Sequence, residues 1–203
     1  MALLILGLVL FLGAHSTRIF AENWRQAVLE RLGEKAYKGA YTLVSLVGFG
    51  LLIYGFDQVR WDSPVLWAPP VWAKHAAALL MLLSLILLAC AHAPRNAIKA
   101  KLHHPMVLSV KVWALAHLLA NPRVADLVLF GAFLLWSVLN FRAARKRDRL
   151  AAAFAQETGE ASAVTAPEVS MAATWRAVGI GVVVWSILLS HGHVWLFGVS
   201  PLG

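Results

Sequence analysis

The chain has few of the residues that a soluble, disulfide-bonded or haem-attaching protein needs. Only 14% of its 203 residues are charged, whereas about a quarter are charged in an average soluble domain. Cys90 is the single cysteine, which excludes an internal disulfide and a paired-cysteine metal site. No Cys-x-x-Cys-His segment occurs, so covalent c-type haem is excluded, and no Gly-x-Ser-x-Gly nucleophile motif is present.

Long apolar segments make up much of the chain, since 60% of the residues are hydrophobic. They form six blocks, at positions 2–20, 41–56, 71–92, 106–120, 124–141 and 177–197. Crossing a membrane takes about 20 apolar residues in a helix, and backbone groups in lipid must pair internally. We therefore predict an all-α, polytopic transmembrane helical bundle of about six helices. The fourth block, which is short and contains Lys111, departs most from this pattern.

Basic residues are unevenly distributed among the loops. Most of the 18 lysines and arginines lie in the segments 18–38, 95–101 and 142–176, while Arg60, Lys74 and Arg123 lie on the opposite side. The positive-inside rule places the three basic segments in the cytoplasm and both termini outside it. We thus expect a multi-pass membrane protein in contact with the lipid bilayer. The net charge of +8 is then a topology signal, and no nucleic-acid partner is predicted.

The longest connection divides the chain. Residues 142–176 begin as a basic run and become rich in Ala, Glu, Thr and Ser, a composition typical of solvated linkers. We predict a five-helix transmembrane core over 1–145, a partly disordered cytoplasmic linker over 146–176, and a C-terminal transmembrane helix over 177–203.

Histidines inside apolar blocks are the candidate site residues, because an ionisable group in a membrane is costly and indicates function by default. His15 and Arg18 are three residues apart on one helix face, an imidazole for iron beside a guanidinium for a haem propionate. The alternative is an interfacial histidine beside a snorkelling arginine. His117 has Trp113 and Ala114 one turn before it, which suits a flat cofactor and equally suits close helix packing.

Two further residues belong to the same candidate region. His104 precedes Pro105 at the predicted start of the fourth helix, and Lys111 follows seven residues later on nearly the same face. His104 is then an N-cap or loop residue, and Lys111 pairs with a neighbouring group or binds an anionic substituent. In a haem site both residues would tune or orient the bound group. His191 and His193 form a His-Gly-His segment near the C-terminus, for which we favour an interfacial position.

His15, Arg18, His104 and His117 lie in segments that resemble the NnrU family of bacterial membrane proteins. The segments are His-Ser-Thr-Arg at 15–18, Leu-Gly-Glu-Lys-Ala-Tyr at 32–37, Tyr-Thr-Leu-Val-Ser-Leu at 41–46, His-Pro at 104–105, Trp-Ala-Leu-Ala-His-Leu-Leu-Ala-Asn at 113–121 and Leu-Phe-Gly at 129–131. They occur in the expected order and cover roughly the first 145 residues, whereas the last helix and its linker are not diagnostic.

The resemblance implies a location in the bacterial inner membrane and a link to nitrite and nitric oxide metabolism in denitrifying bacteria. It also implies kinship with the plant zeta-carotene isomerase, a membrane enzyme with b-type haem. Histidines matching His15 and His117 are the proposed haem ligands there, and the one matching His104 lies in the same His-Pro motif. That enzyme has a redox-linked cysteine three residues before its second ligand, where this chain has Ala114, so the resemblance does not carry the isomerase switch over.

Two function hypotheses follow, and they leave open whether the protein is an enzyme. In the first, b-type haem lies between the first and fourth predicted helices, with His15 and His117 as metal ligands and Arg18, His104 and Lys111 around it. It would serve redox, isomerase or sensing chemistry on a lipophilic or small gaseous ligand. In the second, the protein is a non-catalytic membrane assembly or supply factor for denitrification enzymes. Glycines at 48, 50, 179 and 181 offer surfaces for self-association into a homo-oligomer.

Overall fold

The computed structural model describes residues 1–159 and 168–203, and helices account for most of them. The helices are α1 (Ala2–Phe20), α2 (Glu22–Val59), α3 (Val71–His92), α4 (Ala97–Leu102), α5 (Pro105–Ala120), α6 (Val124–Glu157), α7 (Met171–Ile187) and α8 (His193–Phe197). A π-helical turn over Leu188–Gly192 joins the last two. Among the described residues the only strand-like pairing is one isolated bridge, so the all-α prediction is confirmed.

Each of the six apolar blocks is helical. Five helices are long and apolar enough to cross a membrane, namely α1, α2, α3, α6 and the stretch Met171–Phe197. The fourth block corresponds to α5, which has 16 residues and is shorter than a usual span. The helices are therefore those of a multi-pass membrane protein, as predicted.

Two helices extend well beyond their apolar blocks. Helix α2 starts at Glu22 and bends at Gly33, whose φ of 79° is accessible to glycine without strain. Helix α6 continues to Glu157, because the Ala, Arg and Leu residues of this segment are strong helix formers. The first part of the predicted linker 146–176 is thus helical, and residues 160–167, where disorder is predicted, lie outside the described residues.

The contacts divide the chain into two compact units, and the first combines Met1–Ala68 with Asn121–Asn140. Its helices α1 and α2 pack closely because glycines remove side chains at the crossing. A Cβ atom on Gly7 would lie 2.5 Å from the Leu52 nitrogen, and one on Gly48 would lie 2.7 Å from the Phe11 nitrogen. At one end of the unit, the loop after α2 pairs with the turn before α6 through the Val65–Arg123 bridge.

The second unit combines Pro69–Ala120 with Phe141–Gly203, and its centre is α3, which packs against α5 and α7. Ser84 on α3 donates to the Ser109 carbonyl on α5 at 2.9 Å. On the other side, the Trp185 indole donates to the Ala78 carbonyl at 2.8 Å. Gly181 lets α7 approach Ile86 so closely that a Cβ would lie 2.7 Å from its Cα.

Two of the four glycines predicted to support self-association therefore lie at helix crossings within the units. Gly48 and Gly181 are packing points inside the units, whereas a Cβ atom on Gly50 or Gly179 would meet no described atom within 4 Å outside its own helix. The predicted domain boundaries at 145 and 176 stay predictions.

Candidate functional site

His15 lies near the end of α1, and its hydrogen bond determines which ring nitrogen can bind iron. Its Nδ1 is 2.7 Å from the Phe11 carbonyl, one turn earlier. A carbonyl oxygen only accepts, so Nδ1 carries the proton in the neutral ring and the lone pair is on Nε2. Metal-bound histidines generally hold their other ring nitrogen in this way, which orients the ring and fixes the tautomer.

An aromatic cluster surrounds the His15 ring. The ring centroid lies 4.4 Å from that of Phe11, 5.2 Å from that of Tyr41 and 6.2 Å from that of Trp136. The Trp136 indole nitrogen is buried and has no hydrogen-bond partner among the described residues. Since a buried donor without a partner is costly, this nitrogen is available to a polar atom of a bound group.

Arg18 stands one turn beyond His15, in the last turn of α1, where its side chain is exposed. A cation at this end of the helix is favoured by the helix dipole. The spacing predicted from the sequence is thus present, with imidazole and guanidinium three residues apart on a single helix.

His117 lies within α5 and has the same local hydrogen bond as His15. Its Nδ1 donates to the Trp113 carbonyl at 2.9 Å, and the two ring centroids are 5.1 Å apart. His193, on α8, lies close enough to interact electrostatically with His117. His193 itself donates from Nδ1 to the Val199 carbonyl at 2.7 Å.

Sequence reasoning missed His193 as a neighbour of His117. The signal was the His-Gly-His segment at 191–193, but a regular helix would have pointed the two histidines in different directions. A π-helical turn over Leu188–Gly192 immediately precedes His193, and such turns occur frequently at functional sites.

His104 is engaged by a carboxylate that the sequence did not single out. Its Nε2 is 2.8 Å from Asp148 Oδ2, and its ring meets the Phe141 ring edge-on with centroids 6.2 Å apart. Asp148 belongs to the extension of α6 beyond the apolar block 124–141. Burial raises the pKa of this carboxyl, but the hydrogen bond and charge of His104, with Arg145 nearby, outweigh burial and leave the pKa below its usual value.

The predicted site residues fall into two groups. His15 and Arg18 belong to the first unit, and His104, Lys111 and His117 belong to the second, on or beside α5. Lys111 is half-buried on that helix. Among residues 1–159 and 168–203, no three His, Cys, Asp or Glu side chains are grouped to hold a bare metal ion. Haem supplies four nitrogens itself, so one or two oriented imidazoles are the donor set it needs.

Comparison with known proteins gives one match. The family model described as NnrU protein matches residues 3–201, nearly the whole chain, and therefore includes the last helix and the linker as well as the segments noted above. No curated protein and no solved structure matches the sequence. The match across almost the full length shows that the chain belongs to the NnrU family.

Proposed function

We propose that this protein binds b-type haem in the membrane, that His15 and His117 are the residues that would bind the iron, and that Arg18 would bind a propionate. The observation that carries the proposal is the setting of His15. Its Nδ1 is held by the Phe11 carbonyl, its ring lies among aromatic rings, and the buried Trp136 indole has no described partner. Placing an ionisable imidazole in an apolar membrane helix is energetically unfavourable, and such residues generally have a function.

The chain's own groups have distinct roles in this proposal. The Phe11 and Trp113 carbonyls hold the two imidazoles in the tautomer with the lone pair on Nε2. Arg18 offers a fixed positive charge for a carboxylate. His104 and Lys111 would act through α5 as positioning residues, since Asp148 already binds the His104 ring.

A bound haem would supply one-electron chemistry and an iron that takes small gaseous ligands. Because Ala114 stands where the plant relative has its redox-linked cysteine, we place electron transfer or the sensing of nitric oxide ahead of isomerase chemistry. The link to denitrification and a lipophilic substrate rest on the family resemblance alone.

The test is an absorption spectrum of the full chain purified in mild detergent, oxidised and then reduced with dithionite. We expect a Soret band and sharp reduced bands at about one haem per chain. His15→Ala and His117→Ala should each lose most of the haem while the protein still inserts into membranes.

Matched controls are available in the same fold. His92 makes the same Nδ1 hydrogen bond, to the Leu88 carbonyl, but is exposed at the end of α3, so His92→Ala should keep its haem. Loss of haem in His193→Ala, with retention in His15→Ala, would reassign one ligand. A wild-type protein without a Soret band, even when expressed with added haem, would overturn the proposal and favour the assembly-factor hypothesis.

We also propose that the protein lies in the bacterial inner membrane, with both termini outside the cytoplasm. The basic segments 18–38, 95–101 and 142–176 support this orientation through the positive-inside rule.

A further inference from the structure

A basic cavity lies beside the short helix α4, and neither His15 nor His117 belongs to its described lining. It has a volume of about 440 Å³ and is lined by Arg95, Lys99, Ala100 and His103. No carboxylate belongs to this described lining. Three basic side chains around one cavity make it a place for an anion.

A smaller cavity of about 190 Å³ adjoins it and shares Lys99 and His103. The rest of its lining is mostly apolar, with Ala91 from α3 and Pro105, Met106 and Val107 from α5, besides His104. The two cavities together thus run from a basic mouth to an apolar recess at the ends of two apolar helices. This change from a basic to an apolar lining matches a phospholipid, whose charged phosphate is followed by an apolar part.

The segment that forms the mouth is held in place by its own hydrogen bonds. Asn96 is fully buried, donates to the Cys90 and Pro94 carbonyls, and accepts from the Lys99 backbone. The Lys99 ammonium donates to the Ala91 carbonyl at 3.0 Å, which keeps its charge at the junction of the two cavities. A prearranged site of this kind loses little entropy when a ligand binds.

His103 has an unusual backbone conformation. Its φ is 63° and its ψ is −48°, and the His104 N–H donates to the Leu102 carbonyl at 2.8 Å across it. This three-residue turn with positive φ is rare and strained, and glycine would relieve the strain. A histidine retained at this position places an imidazole at the junction that both cavities share.

We infer that the two cavities beside α4 form one binding site for the phosphate group and glycerol backbone of an anionic phospholipid. Arg95, Lys99 and His103 receive the phosphate, and the recess beside Met106 receives the start of the apolar part. The site uses only the second unit and does not depend on haem. Basic pockets beside transmembrane helices are known to recognise anionic headgroups.

The test is native mass spectrometry of the full chain in detergent, titrated with phosphatidylglycerol or phosphatidylcholine. We expect one phosphatidylglycerol to bind in preference to phosphatidylcholine. Arg95→Gln should weaken that binding about tenfold, the usual effect of losing a charge-assisted contact. His103→Gly should also weaken it, because the imidazole N–H donor is lost. His103→Gly should also raise the thermal unfolding temperature, because it removes the strained φ.

Lys101→Gln is the matched control, since Lys101 is an exposed lysine of the same helix that lines neither cavity. Equal weakening in this control would show only diffuse surface attraction and would overturn the inference, as would equal binding of the two lipids. A titration with sodium phosphate alone distinguishes binding of free phosphate from binding of a phospholipid headgroup. If it binds with dependence on Arg95 while phosphatidylglycerol does not, the site takes free phosphate and the lipid assignment is wrong.

Discussion

Single polar side chains at the helix ends connect segments that the apolar pattern treats separately. His104 and Asp148 are 44 positions apart, yet their side chains form a 2.8 Å contact, and Arg145 adds a longer contact to the same carboxylate. About 20 residues suffice for a helix to cross hydrocarbon, so Asp148 lies in the part of α6 beyond that length. The contact therefore fixes the start of α5 against a polar extension, outside the apolar part of the helix.

Replacing Asp148 with Asn tests this contact. The folded state lowers the pKa of Asp148, so its contribution to stability is complete above the unfolded pKa of about 3.9. That contribution is lost as the pH falls through the lower pKa of the folded state. We expect Asp148→Asn to cost less than about 1 kcal/mol near pH 6, because the pair is partly exposed, and to cost little near about pH 3.

The measurement is thermal unfolding of the wild type and the variant in detergent from acidic to neutral pH. Arg149→Gln, a charge change at an exposed position of the same extension, serves as the control. A destabilisation that stays constant across the pH range would show that Asp148 acts through its shape and not through its charge.

At the residue scale, the sequence predicts where a histidine lies but not what surrounds it. A hydrogen bond from Nδ1 to the carbonyl one turn earlier is shared by His15, His75, His92 and His117, so helical position alone predicts it. The rings of Tyr41 and Trp136 beside His15 come from other helices. No pattern along α1 could identify them, because partner choice depends on tertiary packing.

At the scale of elements, glycines determine how closely neighbouring helices approach. A Cβ on Gly7 would meet the Leu52 backbone at 2.5 Å, and a Cβ on Gly55 would collide with the Leu4 backbone nitrogen. Small residues at such crossings allow extensive van der Waals contact, which drives helix association in membranes where the hydrophobic effect does not. The packing of α1 on α2 thus depends on these glycines.

Gly7→Ala should separate α1 from α2 and destabilise the protein. A forced backbone shift of this kind costs about 1–3 kcal/mol, which should appear as a lower unfolding temperature. Gly50→Ala is the control, since a Cβ there would meet no described atom within 4 Å outside its own helix, and alanine is the better helix former. Equal unfolding temperatures for Gly7→Ala and the wild type would contradict the close crossing.

Helix existence was predictable from the sequence, and helix length was only partly so. The block 71–92 coincides with α3, because both its ends are marked by proline-bearing loops. The apolar pattern identifies only the part of α6 that is apolar enough for a membrane. The predicted block therefore ends at 141, whereas the helix continues to Glu157. Polar residues that favour helix without apolar periodicity are therefore assigned to loops too readily.

At the scale of the whole molecule, contacts within each unit join loops that the charge pattern places on the same side of the membrane. In the second unit the Ser170 N–H donates to the Arg95 carbonyl at 3.0 Å, so two basic connections meet. In the first unit the Leu66 N–H donates to the Pro122 carbonyl at 2.8 Å, which joins two connections of the less basic side. The proposed topology of six crossings, with α5 as a short span, would account for this pairing and would leave both termini on one side.

Reporter fusions in a bacterial host test that topology and its orientation. Alkaline phosphatase, which is active only outside the cytoplasm, should be active at the C-terminus and in the loop near Trp61, and inactive when inserted after Gly159. Green fluorescent protein should show the opposite pattern at the C-terminus and after Gly159, because it fluoresces in the cytoplasm. If α5 did not cross, the C-terminus and the loop near Trp61 would report opposite sides. If the positive-inside rule failed for this chain, every reporter would be inverted together, so the two errors are distinguishable.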